Sequence, residues 1–219
     1  MDVDFRLYLI TDRKVVKKPL PEAVRLALEG GVKAIQLREK DLPVRELLAL
    51  ARELRSITRE FGAKLFINDR VDVAMIVGAD GVHLGHDSMP VEAARKVVGA
   101  GMLIGVSTHN LEEALAAEAG GADFITFGPV FTTPSKAGLG APVGPKVVRS
   151  VKNEIKIPIY ALGGINSGNL LQPMSAGADG VGMISAIFGA DDIRKAAAAF
   201  DKALTAISKV VCKDYCAPR

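Results

Sequence analysis

The chain has 219 residues, 49% hydrophobic and 24% charged, with a net charge of +3. That length suits an α/β domain with a core large enough to fold unaided, and the composition excludes a disordered chain. The slight positive balance comes with no basic run interleaved with aromatics, so nucleic acid is not an expected partner, and no apolar stretch is long enough to span a bilayer.

Residues 1–14 (MDVDFRLYLITDRK) place charges on both sides of a short apolar run, which is not the form of a secretory leader, so a cytoplasmic protein is expected. Trp is absent and aromatics make up 5% of the chain. The expectation is therefore an aliphatic core, suited to a barrel lined by Val, Ile and Leu.

Short, almost continuously apolar runs fall at Arg6–Ile10, Ala34–Leu37, Lys64–Ile67, Gly81–Leu84, Leu103–Val106, Phe124–Phe127, Pro158–Ala161 and Gly180–Ile184. Parallel strands covered on both faces read this way. Between and after them lie segments of helical period: Pro21–Leu28, Pro43–Phe61, Val71–Val77, Val91–Val98, Leu111–Ala119, Lys146–Lys152, Asn169–Ala176 and Asp192–Ser208. In the second of these, Leu47, Leu50, Ala51, Leu54 and Ile57 form one stripe. Pro19, Pro43, Pro90 and Pro145 stand near helix starts, where a missing N–H does no harm.

A phrase recurs as GGVKAIQL, VGADGVHL, GGADFITF and AGADGVGM, each a helix end, a glycine turn and a strand. Eight such βα units without a linker predict a single (β/α)8 TIM barrel of the phosphate-binding type over residues 1–219, with 209–219 as a tail. The alternative, an open doubly wound sheet, lacks a glycine-rich dinucleotide turn after the first strand. Cys212 and Cys216, in the tail, are read as ordinary reduced thiols, since a disulfide across one helical turn would be strained.

Barrels of this kind carry their chemistry where strands end. After the second strand, alternation puts Gln36, Arg38 and Lys40 on one side, and two like charges at the mouth are relieved by an anion. Salt bridges to Glu39 or Asp41 are the plainer alternative. Asp69, after the third strand, suits Mg2+ shared with phosphate oxygens, but stands equally where a helix N-cap would. The loop after the sixth strand, with Thr132, Thr133, Pro134, Ser135 and Lys136, has the length and hydroxyls of a lid over phosphates. Gly163-Gly164 and Ile184-Ser185 match a phosphate cradle built from the seventh and eighth strand ends. His83 reads as a barrel-interior residue, whereas His86 and His109 stand at strand ends within reach of a substrate.

In order and spacing, QLREKD (Gln36–Asp41), INDRVDVA (Ile67–Ala74), GVHLG (Gly81–Gly85), GVSTHN (Gly105–Asn110), FGPVFTTPSK (Phe127–Lys136), ALGGI (Ala161–Ile165) and GADGVGMISAIF (Gly177–Phe188) resemble the thiamine-phosphate synthase family. The resemblance implies a transferase that condenses 4-amino-2-methyl-5-(diphosphooxymethyl)pyrimidine with 4-methyl-5-(2-phosphooxyethyl)thiazole, giving thiamine phosphate and diphosphate. By the same resemblance, Gln36, Leu37, Arg38, Glu39, Lys40 and Asn68 hold the pyrimidine substrate, and Ser107 and Lys136 its phosphates. Thr133, Pro134, Ser135, Gly164, Ile184 and Ser185 cradle the thiazole phosphate. Arg38, Lys40 and Lys136 carry the catalytic charge, and Asp69 binds Mg2+.

The family's second Mg2+ ligand is the last Asp of a Gly-Gln-acid-Asp stretch, and here Ser88 stands in its place, after Asp87. Either Asp87 reaches the metal or Ser88 serves through water. A sister family of thiazole tautomerases shares the last two motifs but carries a catalytic His where this chain has Pro129. A tautomerase-like isomerase and a non-catalytic phosphate-binding barrel are the alternatives to the synthase.

Overall fold

The computed structural model describes residues 2–133 and 141–215, with side chains up to residue 207. Eight parallel strands close into a barrel in strict sequence order, each bonded to its chain neighbours and the last to the first. They are β1 (Leu7–Ile10), β2 (Ala34–Leu37), β3 (Lys64–Asn68), β4 (Gly81–Leu84), β5 (Leu103–Thr108), β6 (Phe124–Phe127), β7 (Ile159–Leu162) and β8 (Gly180–Met183). The apolar runs thus mark the strands to within one or two residues.

The helices are α1 (Leu20–Glu29), α2 (Val44–Glu60), α3 (Val71–Val77), α4 (Val91–Val98), α5 (Leu111–Ala119), α6 (Gly144–Glu154), α7 (Leu171–Ser175), α8 (Ser185–Phe188) and α9 (Ile193–Tyr215). Two differences from the sequence reading stand out. The short α8 starts at the phosphate-cradle residue Ser185, and the last helix runs on to Tyr215 instead of stopping at Ser208. Cys212 lies on that extension beyond the described side chains, and Cys216 lies outside the described residues. No helix among the described residues is long and apolar enough to cross a membrane.

Two cores occupy the two faces of the sheet. Outside the strands lies an aliphatic layer; α2 contributes Leu47, Ala51, Leu54 and Ile57 against the strands, as its stripe predicts. The barrel interior corrects the expectation of a Val, Ile and Leu lining. It is built around Phe5, Tyr8, Phe66, Phe124 and Tyr160, whose rings meet at centroid distances from 4.9 to 6.0 Å, largely edge-on or tilted. Glycines on neighbouring strands make the space. A Cβ at Gly81 would lie 2.4 Å from the Phe66 ring, one at Gly105 2.4 Å from Phe124, and one at Gly180 2.5 Å from Tyr160. Composition counts side chains but not their direction: these five aromatics point inward, while Phe127, Phe188 and Phe200 join the outer layer.

The recurring phrase has a structural use beyond its glycines. The Asp in three of its four copies sits just before β4, β6 and β8, at the bottom of the barrel. Asp80 accepts the Leu65 N–H of β3 at 2.8 Å and pairs with Arg55 of α2 at 2.6 Å. Asp123 does the same for Ile104 of β5 and Arg95 of α4, both at 2.6 Å. Asp179 repeats it with Ile159 of β7 at 2.8 Å and Lys152 of α6 at 2.7 Å. Each carboxylate therefore ties two strands to the helix between them. The fourth copy has Lys33 at this position.

Candidate active site

The opposite end of the barrel gathers the residues singled out by the sequence. Gln36, Arg38 and Lys40 stand at the end of β2, Asn68 and Asp69 at the end of β3, and Ser107 near the end of β5. Gly164 follows β7, and Ile184 and Ser185 follow β8. Pro134, Ser135 and Lys136 lie outside the described residues.

Gln36 is buried inside the barrel and Arg38 is half-buried above it. The Arg38 guanidinium has no hydrogen bond or ion pair with any described side chain, while the Arg38 backbone N–H donates to Thr11 Oγ1 at 2.9 Å. Lys40 is more exposed, and its Nζ lies 3.7 Å from Asp69 Oδ2. Leu37 faces the outer aliphatic layer. Glu39 is buried, and its carboxylate accepts from Arg13 Nη1 at 3.0 Å and from the Arg13 N–H. The anticipated salt bridge to Glu39 or Asp41 is therefore made by Arg13, which also reaches Asp41 at 2.6 Å, and Arg38 is left without a carboxylate.

Asp69 does not act as a helix N-cap. Arg70 holds that position before α3, without a side-chain cap. Asp69 has φ +60, in a left-handed region that costs a non-glycine residue on the order of 1 kcal/mol, and such strain gathers at functional sites. Its carboxylate is turned to the mouth. Oδ1 accepts from Ser88 Oγ and from the Gly85 N–H at 3.2 Å, and Oδ2 accepts from Asn68 Nδ2 at 2.7 Å. Burial pushes this carboxyl up, but the Ser88 and Gly85 hydrogen bonds, the Lys40 charge and Asn68 outweigh it and hold the pKa below the ordinary value.

Asp87 is exposed, so Ser88, not Asp87, is the residue of its loop that meets Asp69. Among the described residues no group of three or more His, Cys, Asp or Glu side chains could hold a metal. His86 is exposed, and His109 is tied to Glu113 of α5 at 3.0 Å.

Across the mouth, Thr133, Gly163, Gly164, Ile184 and Ser185 line a cavity of about 80 Å³. Gly164 has φ +65, and a Cβ there would lie 2.5 Å from the Thr132 carbonyl oxygen, so only glycine fits. The N–H groups of Gly164, Ser185 and Ala186 donate to no acceptor among the described residues. Converging N–H groups of this kind suit an anion. A wider groove of about 450 Å³ between α2 and α3, lined by Arg52, Arg59 and Ile76, lies on the outer wall away from the strand ends.

Beneath the mouth the structure adds a residue that the strand-end survey passed over. Tyr8, inside β1, accepts from Gln36 Nε2 at 3.1 Å and lies 3.3 Å from His83 Nδ1. His83 Nε2 is 3.1 Å from Ser107 Oγ. Its interior position agrees with the sequence reading, and burial drives its pKa down to about 3, so the ring is neutral. Composition held the only signal for Tyr8: few aromatics, two of them tyrosines within strands.

The mouth of this barrel thus combines a cation with no carboxylate partner among the described residues, a strained carboxylate and a second anion cradle. The model of the family described as thiamine monophosphate synthase matches residues 7–187. The chain belongs to the thiamine-phosphate synthase family. A Geobacter sulfurreducens protein, provisionally named thiamine-phosphate synthase, is 56% identical over 90% of this chain and 93% of its own length. The thiamine-phosphate synthase of Chloroflexus aurantiacus is 46% identical over 89% and 90%. The solved thiamine phosphate pyrophosphorylase of Pyrococcus furiosus superposes with a TM-score of 0.85 at 44% identity, covering 93% of this chain and 96% of that one. Neither a tautomerase nor a binding-only barrel finds support in these likenesses.

Proposed function

We propose that the chain is a transferase joining an aminopyrimidine diphosphate to a thiazole phosphate, with thiamine phosphate and diphosphate as products. The observation that carries this reading is Arg38, a half-buried cation at a barrel mouth with no carboxylate of its own among the described residues. A planar guanidinium left free in this way suits phosphate oxygens, which it can grip bidentately. The names borne by the relatives support the same product, thiamine phosphate.

In the reaction the bond between the pyrimidine methylene carbon and diphosphate oxygen breaks, and both electrons leave with the oxygen. The thiazole nitrogen supplies its lone pair to form the new C–N bond. No proton changes place, so no general base is required. The electron-rich aminopyrimidine stabilises positive charge on the methylene carbon, which favours a dissociative course. The protein's work is then electrostatic and positional. Arg38 and Lys40 face the charge that grows on the leaving diphosphate. The open N–H groups after β7 and β8 anchor the thiazole by its phosphate and so aim its nitrogen. By the family resemblance, Lys136 adds charge at the diphosphate, and Pro134 and Ser135 belong with the thiazole phosphate; all three lie outside the described residues.

Mg2+ belongs to this proposal in a restricted sense. A single carboxylate, Asp69, suits an ion that brings the remaining ligands as diphosphate oxygens and water, not one resident in a protein cage. When bound it would add charge stabilisation to the departing diphosphate. Asp69 would hold the ion, Lys40 would balance the local charge, and Ser88 keeps the carboxylate oriented.

The test is product formation from the two substrates with Mg2+ and with a chelator. Metal-dependent thiamine phosphate is expected. No product under either condition, with the thiazole phosphate still bound, would sink the reading.

A further inference from the structure

The buried polar chain under the mouth takes no part in the electrostatics above, yet it ends on two substrate-facing residues. It runs from Gln36 through Tyr8 and His83 to Ser107, with Thr126 at its side. Tyr8, His83, Gln36 and Thr126 are all 2% exposed or less. Buried polar groups must be satisfied, and a closed chain of them admits few proton arrangements.

We propose that Tyr8 and His83 are positioning residues which fix the proton order of this chain, so that Gln36 offers an acceptor and Ser107 a donor to the pyrimidine substrate. The proposal rests on the reading that this mouth takes an aminopyrimidine diphosphate.

The order follows bond by bond. Gln36 Nε2 donates to Tyr8 Oη at 3.1 Å. With that oxygen accepting, the Tyr8 proton goes to its other partner, His83 Nδ1, at 3.3 Å. A neutral imidazole that accepts at Nδ1 carries its proton on Nε2. Nε2 therefore donates to Ser107 Oγ at 3.1 Å, and Thr126 Oγ1 donates to the same oxygen at 3.4 Å. Ser107 Oγ is then an acceptor within the chain, and its own proton is free for a ligand.

At the other end, Gln36 has committed Nε2 to Tyr8, and its Oε1 bonds to nothing among the described residues. The barrel thus presents a carbonyl acceptor at one point and a hydroxyl donor at another. An exocyclic amine on the ring matches the first and a phosphate oxygen the second. A ring with an oxo group in place of the amine would set two acceptors face to face, and a buried mismatch of that kind discriminates strongly. The chain is therefore a specificity device for amino against oxo pyrimidines.

The experiment compares wild type with Tyr8→Phe, His83→Gln and His83→Met. It uses the 4-amino pyrimidine diphosphate, its 4-oxo analogue and the thiazole phosphate. Tyr8→Phe removes one oxygen and leaves the ring packing intact. It is expected to raise KM for the pyrimidine diphosphate about tenfold, leave KM for the thiazole phosphate unchanged, and cut the amino-over-oxo preference about tenfold. His83→Gln, whose amide can keep a donor toward Ser107, is expected to retain at least several-fold more kcat/KM than His83→Met. Independently of turnover, 15N NMR of the histidines in the free protein should show His83 protonated at Nε2.

An Nδ1–H tautomer would overturn the proposal. So would a Tyr8→Phe enzyme that keeps the wild-type amino-over-oxo ratio, or one whose two KM values move together. If wild type turns over neither pyrimidine, the substrate reading has failed and the specificity role falls with it, whereas turnover with an unmoved ratio rejects the role alone.

Discussion

The two ends of the barrel treat charge in opposite ways. At the bottom, Asp80, Asp123 and Asp179 each hold a strand N–H and a helix cation within 2.8 Å, so each of these acids is matched. At the top, among the described residues, Arg38 has no carboxylate and the N–H groups of Gly164, Ser185 and Ala186 have no acceptor, while Asp69 sits in strained backbone. Matched charge serves the fold. Unmatched charge is held in readiness for a ligand, which is how barrels divide stability from function between their ends. Substitutions at the two ends should therefore change different observables.

The largest effect is expected at the top. Arg38→Ala should lower kcat/KM by a factor of about 10² to 10³, the scale of losing a preorganised charge that faces a developing anion. Its melting temperature should stay at the wild-type value or rise, because no partner is lost. Lys40→Ala should suppress product formation in the same way and leave thiazole phosphate binding largely intact; unchanged turnover would remove Lys40 from the mechanism.

Next comes the bottom. Asp80→Ala strands Arg55 and the Leu65 N–H in a mostly buried setting, at a cost of about 2 to 3 kcal/mol. For a chain of this size that corresponds to roughly 4 to 12 °C in melting temperature. KM values should not move. Asp179→Ala should cost less, because that pair is more exposed, at 28% and 39% against 14% and 19%.

A smaller effect appears on acidification. His83 is buried neutral with a pKa of about 3, lowered by burial, with Asp69 opposing and Arg38 assisting. In the unfolded chain the imidazole titrates near 6.5. Between these values the unfolded state binds the additional proton, so this contribution to stability is intact above 6.5 and is lost as pH falls toward 3. The loss is at most about 1.4 kcal/mol per pH unit. Denaturant titrations from neutral pH down to about pH 5 should show this slope in wild type and its removal in His83→Gln. An equal slope in the variant would place the effect elsewhere.

The smallest change concerns the metal. Ser88→Asp sets a second carboxylate beside Asp69 and should lower the Mg2+ concentration for half-maximal activity, about tenfold if both acids share the ion. An unchanged Mg2+ requirement would mean that the two side chains do not share a ligand.

The strands were legible because a parallel strand covered on both faces is apolar at every position, a pattern that needs no knowledge of partners. The site was legible in part because chemistry in a barrel is confined to strand ends, which brought out Arg38, Lys40, Asp69 and Ser185 from short local motifs. What was hidden depends on direction or distance. Side-chain direction decides that Phe66 and Phe124 fill the interior and that Glu39 faces Arg13. Distance hides the Arg55–Asp80 pair, separated by 25 residues, and the Tyr8–His83 contact, separated by 75. The repeated Asp before a strand was visible as a letter, but the N–H it holds belongs to the preceding strand and only the closed barrel brings the two together.

The most direct measurement of the division between the ends is the thermal shift produced by magnesium diphosphate in wild type, Arg38→Ala and Asp80→Ala. Ligand that binds only the folded state raises the melting temperature in proportion to its affinity. The account predicts a clear shift in wild type, little or none in Arg38→Ala at an undiminished starting temperature, and a full shift in Asp80→Ala from a lower one. A full shift in Arg38→Ala, or a lost shift in Asp80→Ala, would contradict it.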